Sequence, residues 1–126
     1  NYTDIIINLI CDETIMFLGN KDLISIAASN LLSNAIKYSG TKKIDIILNK
    51  HNGEITLTVK DYGIGIEKQY LNHIFERFYR IDKNRSRKLG GTGLGLSIVK
   101  NIIEFHNGTI TVESEINKGT FFICKM

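Results

Sequence analysis

Proline and tryptophan are absent from this chain of 126 residues, and cysteine occurs only twice. Without proline, glycine has to mark the turns and the ends of helices. Cys11 and Cys124 both lie in apolar, strand-like stretches, where a thiol usually behaves as a small buried hydrophobe. We therefore expect both cysteines to be buried and the domain to work in a reducing, cytoplasmic setting.

Long apolar runs are also missing, so no segment reaches transmembrane length. The first residues lack the basic, apolar and small-residue order of a signal peptide, and there is no initial Met. With 43% apolar and 23% charged residues, the composition is that of a soluble globular protein rather than a disordered one. We expect one domain over residues 1–126, without direct membrane contact, cut from a longer protein whose membrane anchor lies elsewhere.

Acidic residues are scarce in one stretch of the chain, residues 77–88. Between residues 77 and 88, six basic residues oppose the single acid Asp82. This stretch lies in a charged connection from Glu67 to Thr92, which holds one short helical piece near residues 69–75. Connections of this length are uncommon in a compact domain and are often functional lids, so the segment 67–92 is predicted to be a lid that meets an anion.

Hydrophobic periodicity predicts an α+β fold, a two-layer sandwich with helices on one face of a mixed, mostly antiparallel sheet. An Asn-Gly pair predicts a hairpin turn at residues 51–53. Helices are expected from residue 22 to Tyr38 and from 94 to 105, the second ending with Gly108 as its left-handed cap. The strands are expected at residues 4–10, 14–18, 44–48, 55–59, 109–115 and 119–125.

The first predicted helix carries a polar stripe opposite its apolar side. Asn30, Asn34 and Lys37 fall at i, i+4 and i+7, so they share one face. Amide oxygens and a cation suit a magnesium ion with its bound triphosphate. A merely solvated face is the alternative interpretation of this stripe.

Glycines cluster in DYGIGI at 61–66 and in GGTGLGLSI at 90–98. Asp61 ends an alternating strand, where its carboxylate could accept the exocyclic amine of adenine or simply cap a turn. The second cluster leads into a predicted helix, whose free amides and dipole favour a phosphate. It is neither a P-loop nor a dinucleotide fingerprint, because the Lys-Ser pair and the third glycine are missing.

Five segments occur together and in order: NLLSNAIKYS at 30–39, DYGIGI at 61–66, IFERFYR at 74–80, GGTGLGLSI at 90–98 and KGTFF at 118–122. This set resembles the N, G1, F, G2 and G3 boxes of bacterial sensor histidine kinases, within the GHKL ATPase superfamily. The resemblance covers nearly the whole chain. It implies the GHKL type of sandwich, ATP and Mg²⁺ as cofactors, and transfer of the γ-phosphoryl group to a histidine in two-component signal transduction.

Position by position, the resemblance implies a set of nucleotide contacts. Asn34 would hold Mg²⁺, Asp61 would bind the adenine amine, and Thr120 would reach the base through water. Asn34, Lys37 and Arg80 would be the catalytic groups, and Phe75 and Phe78 would anchor the lid. The implied ATP-binding residues are Asn30, Asn34, Lys37, Tyr38, Asp61, Gly63, Gly65, Ile66, Arg80, Gly91, Thr92, Gly93, Leu94, Gly95, Leu96 and Thr120.

Asn30 decides between branches of the superfamily, because gyrase-like and chaperone-like ATPases carry a water-activating glutamate there. An amide is no general base, which favours a kinase. His51, His73 and His106 do not fit the acceptor pattern, so we expect a histidine-containing dimerisation domain of the same protein and a response-regulator receiver domain as partners. A GHKL Ser/Thr kinase such as an anti-sigma factor, or a GHKL ATPase, is the alternative. Nucleic acid is not expected, since a bound nucleotide explains the basic stretch more economically.

Overall fold

The computed structural model describes residues 5–11, 19–38, 40, 42–79 and 95–126. These residues form five strands and three helices, and the strand expected at 14–18 lies outside them. In chain order the elements are β1 (Ile6–Cys11), α1 (Lys21–Tyr38), β2 (Lys43–His51), β3 (Glu54–Asp61), α2 (Lys68–Leu71), α3 (Gly95–Phe105), β4 (Thr109–Glu115) and β5 (Gly119–Lys125).

The strands of the described residues lie in the order β1-β2-β3-β5-β4. Strand β1 runs parallel to β2, and the other neighbours are antiparallel. The predicted hairpin is confirmed, with His51 opposite Glu54. Asn52 and Gly53 form its turn at φ angles of +51° and +82°, as a two-residue turn with positive φ at both positions requires.

Helices α1 and α3 pack together over one face of the sheet, here called the inner face. Its apolar side chains come from alternate residues of neighbouring strands, such as Val59 and Phe122, which are directly opposite each other. Leu31 of α1 and Val99 of α3 are fully buried against them. The predicted α+β sandwich with a mixed, mostly antiparallel sheet is thereby confirmed.

Helix α1 begins at Lys21, one residue before the predicted start, and Asn20 caps it. The Asn20 side-chain Oδ1 accepts a hydrogen bond from the Leu23 N–H at 3.1 Å. This bond satisfies one of the four donors that a helix start leaves without an intrahelical partner. The helix then continues to Tyr38, the predicted end.

The cap of α3 differs from the prediction, because Asn107 and not Gly108 has the left-handed backbone, at φ +61°. The Asn107 N–H donates to Glu104 O and the Gly108 N–H to Ile103 O, both at 2.9 Å, which is a Schellman arrangement. Gly108 serves close packing instead. A Cβ added there would lie 2.4 Å from the Lys125 carbonyl oxygen.

The two cysteines also differ from each other. Cys124 is fully buried in the core, and its burial raises the pKa of its thiol to about 12. Cys11 is exposed, so the expectation that both are buried is wrong for it. Its strand β1 is the edge of the described sheet, and all six of its residues are exposed. Among the described residues, no helix has the length and apolar character to cross a membrane.

Candidate functional site

The inner face of the sheet changes from apolar to polar at one end. Val112, Phe122 and Val59 form an apolar row across β4, β5 and β3. Two residues further along each strand, Ser114, Thr120 and Asp61 occupy the same face, with Ser114 directly opposite Thr120. The apolar core therefore ends in a row of hydroxyl and carboxyl groups.

Asp61 is the buried acid of this row, with 5% of its surface exposed. Its Oδ1 accepts hydrogen bonds from the backbone N–H of Gly63 at 3.0 Å and of Thr120 at 3.2 Å. Burial raises the pKa of the Asp61 carboxyl, and the two N–H donors partly offset that effect. Both of these bonds go to Oδ1, so among the described residues Oδ2 is left as the oxygen that can accept an incoming donor.

Two turns pack closely around Asp61 and leave no room for side chains. A Cβ on Gly65, which has φ +78°, would lie 2.3 Å from the Glu115 carbonyl oxygen. A Cβ on Gly119, which has φ +125°, would lie 2.1 Å from the carbonyl oxygen of Asp61 itself. The Asn117 N–H also donates to Ile64 O at 2.8 Å. The turn at 61–66 is thus held against the β4–β5 turn by backbone contacts.

Ser114 lies at the centre of this contact, and the sequence analysis did not single it out. Its Oγ is 2.7 Å from the Ile66 N–H donor, 2.7 Å from Thr120 Oγ1 and 3.0 Å from the Gly119 carbonyl oxygen. The only signal for it in the sequence is the alternation Ile110, Val112, Ser114, where an apolar series ends in a hydroxyl.

The polar stripe of α1 meets the start of α3. Asn30, Asn34 and Lys37 are all partly buried. A Cβ added to Gly95, the first residue of α3, would lie 3.5 Å from Asn30 Oδ1. The first turn of α3, with partly buried Leu96, therefore faces the amide stripe of α1. The two motifs lie 65 positions apart in the chain, and the packing of α1 against α3 brings them together.

Several predicted contacts lie outside the described residues: Arg80, Gly91, Thr92, Gly93 and Leu94. Of Tyr38 only the backbone is described, in the last turn of α1.

The two phenylalanines of the predicted lid anchor behave differently. Phe75 contacts Phe122 of the core edge-on, with ring centroids 6.1 Å apart. Phe78 is 62% exposed, and its ring lies 5.4 Å from the Arg77 guanidinium. Phe75 therefore packs on the core, as an anchor would, whereas Phe78 is exposed beside Arg77; the lid-anchor role of both stays a prediction.

None of the three histidines makes a described contact with Asp61, Thr120 or Ser114. His51 ends β2 at the hairpin, and His73 lies 2.6 Å from the exposed Glu76 carboxylate. His106 Nε2 accepts the Asn20 N–H at 3.0 Å, so its Nδ1 carries the proton and donates to Ile102 O at 2.8 Å. This ring joins the start of α1 to the end of α3. In the part of the chain that the structure describes, no cluster of three or more His, Cys, Asp or Glu side chains could hold a metal ion.

The chain is similar in sequence to a known ATPase family and to sensor histidine kinases. Residues 19–126 match the family of histidine kinase-, DNA gyrase B-, and HSP90-like ATPases. The sensor histidine kinase RppB of Synechocystis is 46% identical over 109 residues, which are 86% of this chain and 24% of RppB. The sensor-like histidine kinase SenX3 of Mycolicibacterium smegmatis is 49% identical over 107 residues, 83% of this chain and 28% of SenX3. The chain thus spans about a quarter of the length of these relatives.

The fold is shared with solved sensor kinases. The mycobacterial sensor histidine kinase MprB superimposes with a TM-score of 0.84 at 27% identity, over 99% of this chain and 83% of the MprB chain. The sheet order and the position of Asp61 between two glycine-containing turns are consistent with the family match. The chain belongs to the family of histidine kinase-, DNA gyrase B-, and HSP90-like ATPases, as a domain of the type found in sensor histidine kinases.

Proposed function

We propose that this chain binds ATP with Mg²⁺ and donates the γ-phosphoryl group to a histidine on a separate dimerisation domain of the same sensor kinase. One observation carries the proposal: Asp61 is a buried carboxylate at the polar end of the inner face, with one oxygen fixed by two backbone donors. The second oxygen of this acid can accept a further donor, and the exocyclic amine of adenine is one.

The base would lie against the turn at 61–66. Gly63 carries no side chain, Gly65 lets this turn pack on Glu115, and the bond from the Ile66 N–H to Ser114 fixes the end of the turn. Thr120 would reach the base through water from the neighbouring strand. The ring would be enclosed by these groups, with its amine directed at Asp61.

The phosphates would extend from the base toward the junction of α1 and α3. The start of a helix generally offers backbone amides to an anion, and Gly95 and Leu96 would supply those of α3. Lys37, in the last turn of α1, adds a positive charge beside the nucleotide. Gly91, Thr92, Gly93, Leu94 and Arg80 are assigned to the phosphates by the resemblance alone.

The amide stripe fits a magnesium ion of the kind that keeps most of its water. Mg²⁺ takes oxygen ligands, and at nucleotide sites it commonly uses one or two protein oxygens together with phosphates. Asn34 provides such an oxygen one turn from Asn30, whose own Oδ1 faces Gly95. When bound, the ion would neutralise charge on the phosphates.

Asn30 supports transfer rather than hydrolysis. Its amide cannot take a proton from water near neutral pH, so bound ATP has no activated water at that position. The three histidines of the chain lie at the hairpin, beside α2 and at the end of α3, and none of them makes a described contact with Asp61. The acceptor is therefore assigned to another domain, with a response-regulator receiver domain as the next partner. The relatives named above are sensor histidine kinases, which favours this assignment over a Ser/Thr kinase or an ATPase.

The proposed setting is a cytoplasmic domain of a membrane-anchored sensor kinase. The test supplies a histidine-bearing hairpin in cis or in trans with Mg-ATP and follows acid-labile phosphorylation of the hairpin. Asn34→Ala should abolish the transfer, whereas Asn101→Ala, at an exposed position of α3, should leave it intact. Transfer that persists in Asn34→Ala, or hydrolysis without transfer in the parent chain, would overturn the proposal.

A further inference from the structure

The ring of His106 ties the end of α3 to the start of α1 through both of its nitrogens. Nδ1 donates to Ile102 O at 2.8 Å, within the same helix, which fixes the orientation of the ring. Nε2 accepts the backbone N–H of Asn20 at 3.0 Å. Because a neutral imidazole has one donor and one acceptor, this pair of bonds requires a neutral ring with its proton at Nδ1.

Asn20 carries this link directly into α1. Its carbonyl oxygen accepts the Ile24 N–H at 3.0 Å, and its side-chain Oδ1 accepts the Leu23 N–H at 3.1 Å. The residue that His106 holds is therefore the N-cap of α1, which two further bonds join to the first turn. A displacement of Asn20 from His106 would move the start of the helix itself.

The helix pair has a second close approach at its other end, where Asn30 Oδ1 would lie 3.5 Å from a Cβ added to Gly95. Asn30 is ten residues after Asn20, about 15 Å along α1. His106 is eleven residues after Gly95, about 17 Å along α3. The two helices therefore run antiparallel, and the stretches between the two contacts are nearly equal in length.

Between these ends the helices pack through apolar side chains, with Ala27 and Leu31 of α1 and Ile103 of α3 buried. Apolar contact is non-directional, whereas a hydrogen bond has a preferred distance and angle. The bond from Asn20 to His106 therefore adds a directional constraint on how far α1 extends along α3.

We propose that His106 is a positioning residue for the phosphate end of the nucleotide site, acting through the register of α1 on α3. The neutral ring holds Asn30 and Asn34 in place at the first turn of α3, and a protonated ring releases them. Protonation keeps the Nδ1 bond but replaces the Nε2 lone pair by a second N–H, so that two donors would face each other. The inference rests on the nucleotide function proposed above, and His106 itself touches no nucleotide.

The charged side chains of the helix and strand ends that meet here are exposed among the described residues: Lys21 and Asp22 of α1, Glu104 of α3 and Lys125 of β5. Water and salt therefore screen their effect on the ring. The imidazole of histidine changes its charge between about pH 5 and pH 8, so the release is expected in that range.

The test measures Mg-ATP affinity from about pH 8 to about pH 5.5. His106→Gln supplies a side-chain oxygen as acceptor for the Asn20 N–H but does not titrate, so it should bind like the parent chain at pH 8. His106→Phe keeps a ring without an acceptor and should bind about threefold more weakly than His106→Gln at every pH. His51→Gln, at the exposed hairpin, is the matched control and should follow the parent.

The decisive quantity is the ratio of the parent affinity to the His106→Gln affinity at each pH. A terminal phosphoryl group itself titrates near pH 6, and this ratio cancels that effect. The ratio should be about one at pH 8 and should fall about threefold by pH 5.5, as the ring of the parent is protonated.

NMR of the ring nitrogens of the parent chain gives a second measurement that needs no variant. The His106 proton should be at Nδ1 at pH 8, and the Asn20 amide should exchange faster once the ring is protonated. A ratio that stays at one while both chains bind ATP, or a ring proton at Nε2 at pH 8, would overturn the inference and leave the proposed function standing. Absence of ATP binding by the parent chain would overturn both.

Discussion

The Tyr62 hydroxyl donates a hydrogen bond of 2.5 Å to Asp45 Oδ2, which ties the residue after Asp61 to strand β2. Asn8 of β1 donates to the other oxygen, Asp45 Oδ1, at 3.1 Å. Lys60 lies over the Tyr62 ring, 5.1 Å from its centroid. Asp61 points to the inner face beside Ile44, whereas Asp45, one residue further along β2, points to the opposite face. The Tyr62 bond therefore holds the turn at 61–66 from the face of the sheet opposite the one proposed to bind the base.

This bond predicts a characteristic pH dependence of stability. The hydrogen bond from Tyr62, followed by that from Asn8, lowers the pKa of the Asp45 carboxyl. The same bond raises the pKa of Tyr62. The Asp45 contribution is present above its unfolded pKa, about 4, and is lost as pH falls through the lower folded pKa. The Tyr62 contribution is present below about pH 10 and is lost as pH rises through the higher folded pKa.

Tyr62→Phe should therefore lower the free energy of unfolding by about 1 kcal/mol near neutral pH. The difference from the parent chain should stay constant from about pH 5 to pH 9 and shrink outside that window, because the pKa shifts of Asp45 and Tyr62 fall at its two ends. Urea unfolding at several pH values measures it. Tyr70→Phe, at a half-buried tyrosine of α2, is the matched control and should show no such window. A difference that is zero at pH 7 contradicts the role given to this bond.

Asp61→Asn tests adenine recognition directly. The amide replaces an acceptor by a partial donor at the exocyclic amine, so ATP binding should weaken by more than about 1.4 kcal/mol, or tenfold. Calorimetry with Mg-ATP gives the affinity, and Glu113→Gln, at an exposed carboxylate of β4, is the control. An unchanged affinity in Asp61→Asn would remove this residue from the site.

The close contact between the two turns predicts a large effect at Gly119. Gly119→Ala adds a Cβ 2.1 Å from the Asp61 carbonyl oxygen, so the turns must separate and both stability and ATP affinity should fall. Gly53→Ala has a similar positive φ of +82° but meets nothing within 4 Å. That control should lose about 1 kcal/mol of stability and keep its ATP affinity. Equal effects from the two substitutions would mean that the contact at Asp61 is unimportant.

Much of this architecture follows from local sequence patterns. Strands β4 and β5 have the predicted bounds, and the hairpin at Asn52 and Gly53 follows from the turn chemistry of those two residues. Periodicity reports local structure well because a two-residue or 3.6-residue repeat is set by neighbours in the chain. Which polar residues belong to one site is predicted by the resemblance to known motifs, not by periodicity.

Some features that the sequence did not predict depend on contacts between distant parts of the chain. Ser114 and Thr120 are opposite each other across β4 and β5, but their approach to Ile66 depends on β5 lying next to β3. No local pattern gives that order. Cys11 was misjudged for the same reason, since an apolar strand is buried only where the sheet or a helix covers it. Asn107 replaced Gly108 as the left-handed cap because asparagine also tolerates that backbone.

Hydrogen exchange tests the lid hypothesis. Amides in the segment 67–92 are expected to gain protection when Mg-ATP binds, because its basic residues would then meet the phosphates. The effect should be smaller near Phe75, which already contacts the core residue Phe122. The hairpin turn at Asn52 is the internal control, since it lies at the far end of β2 and β3 from Asp61. Equal protection of the segment with and without nucleotide would contradict the hypothesis.

The most direct test of the central claim is to measure ATP binding and phosphate release on the same preparation of this chain, without any added acceptor. The resemblance places Asn30 at the position of the water-activating glutamate of related ATPases, so Mg-ATP is expected to bind while phosphate release stays negligible. Turnover at many cycles per minute by the chain alone would contradict it and would place the protein among the hydrolases of its family.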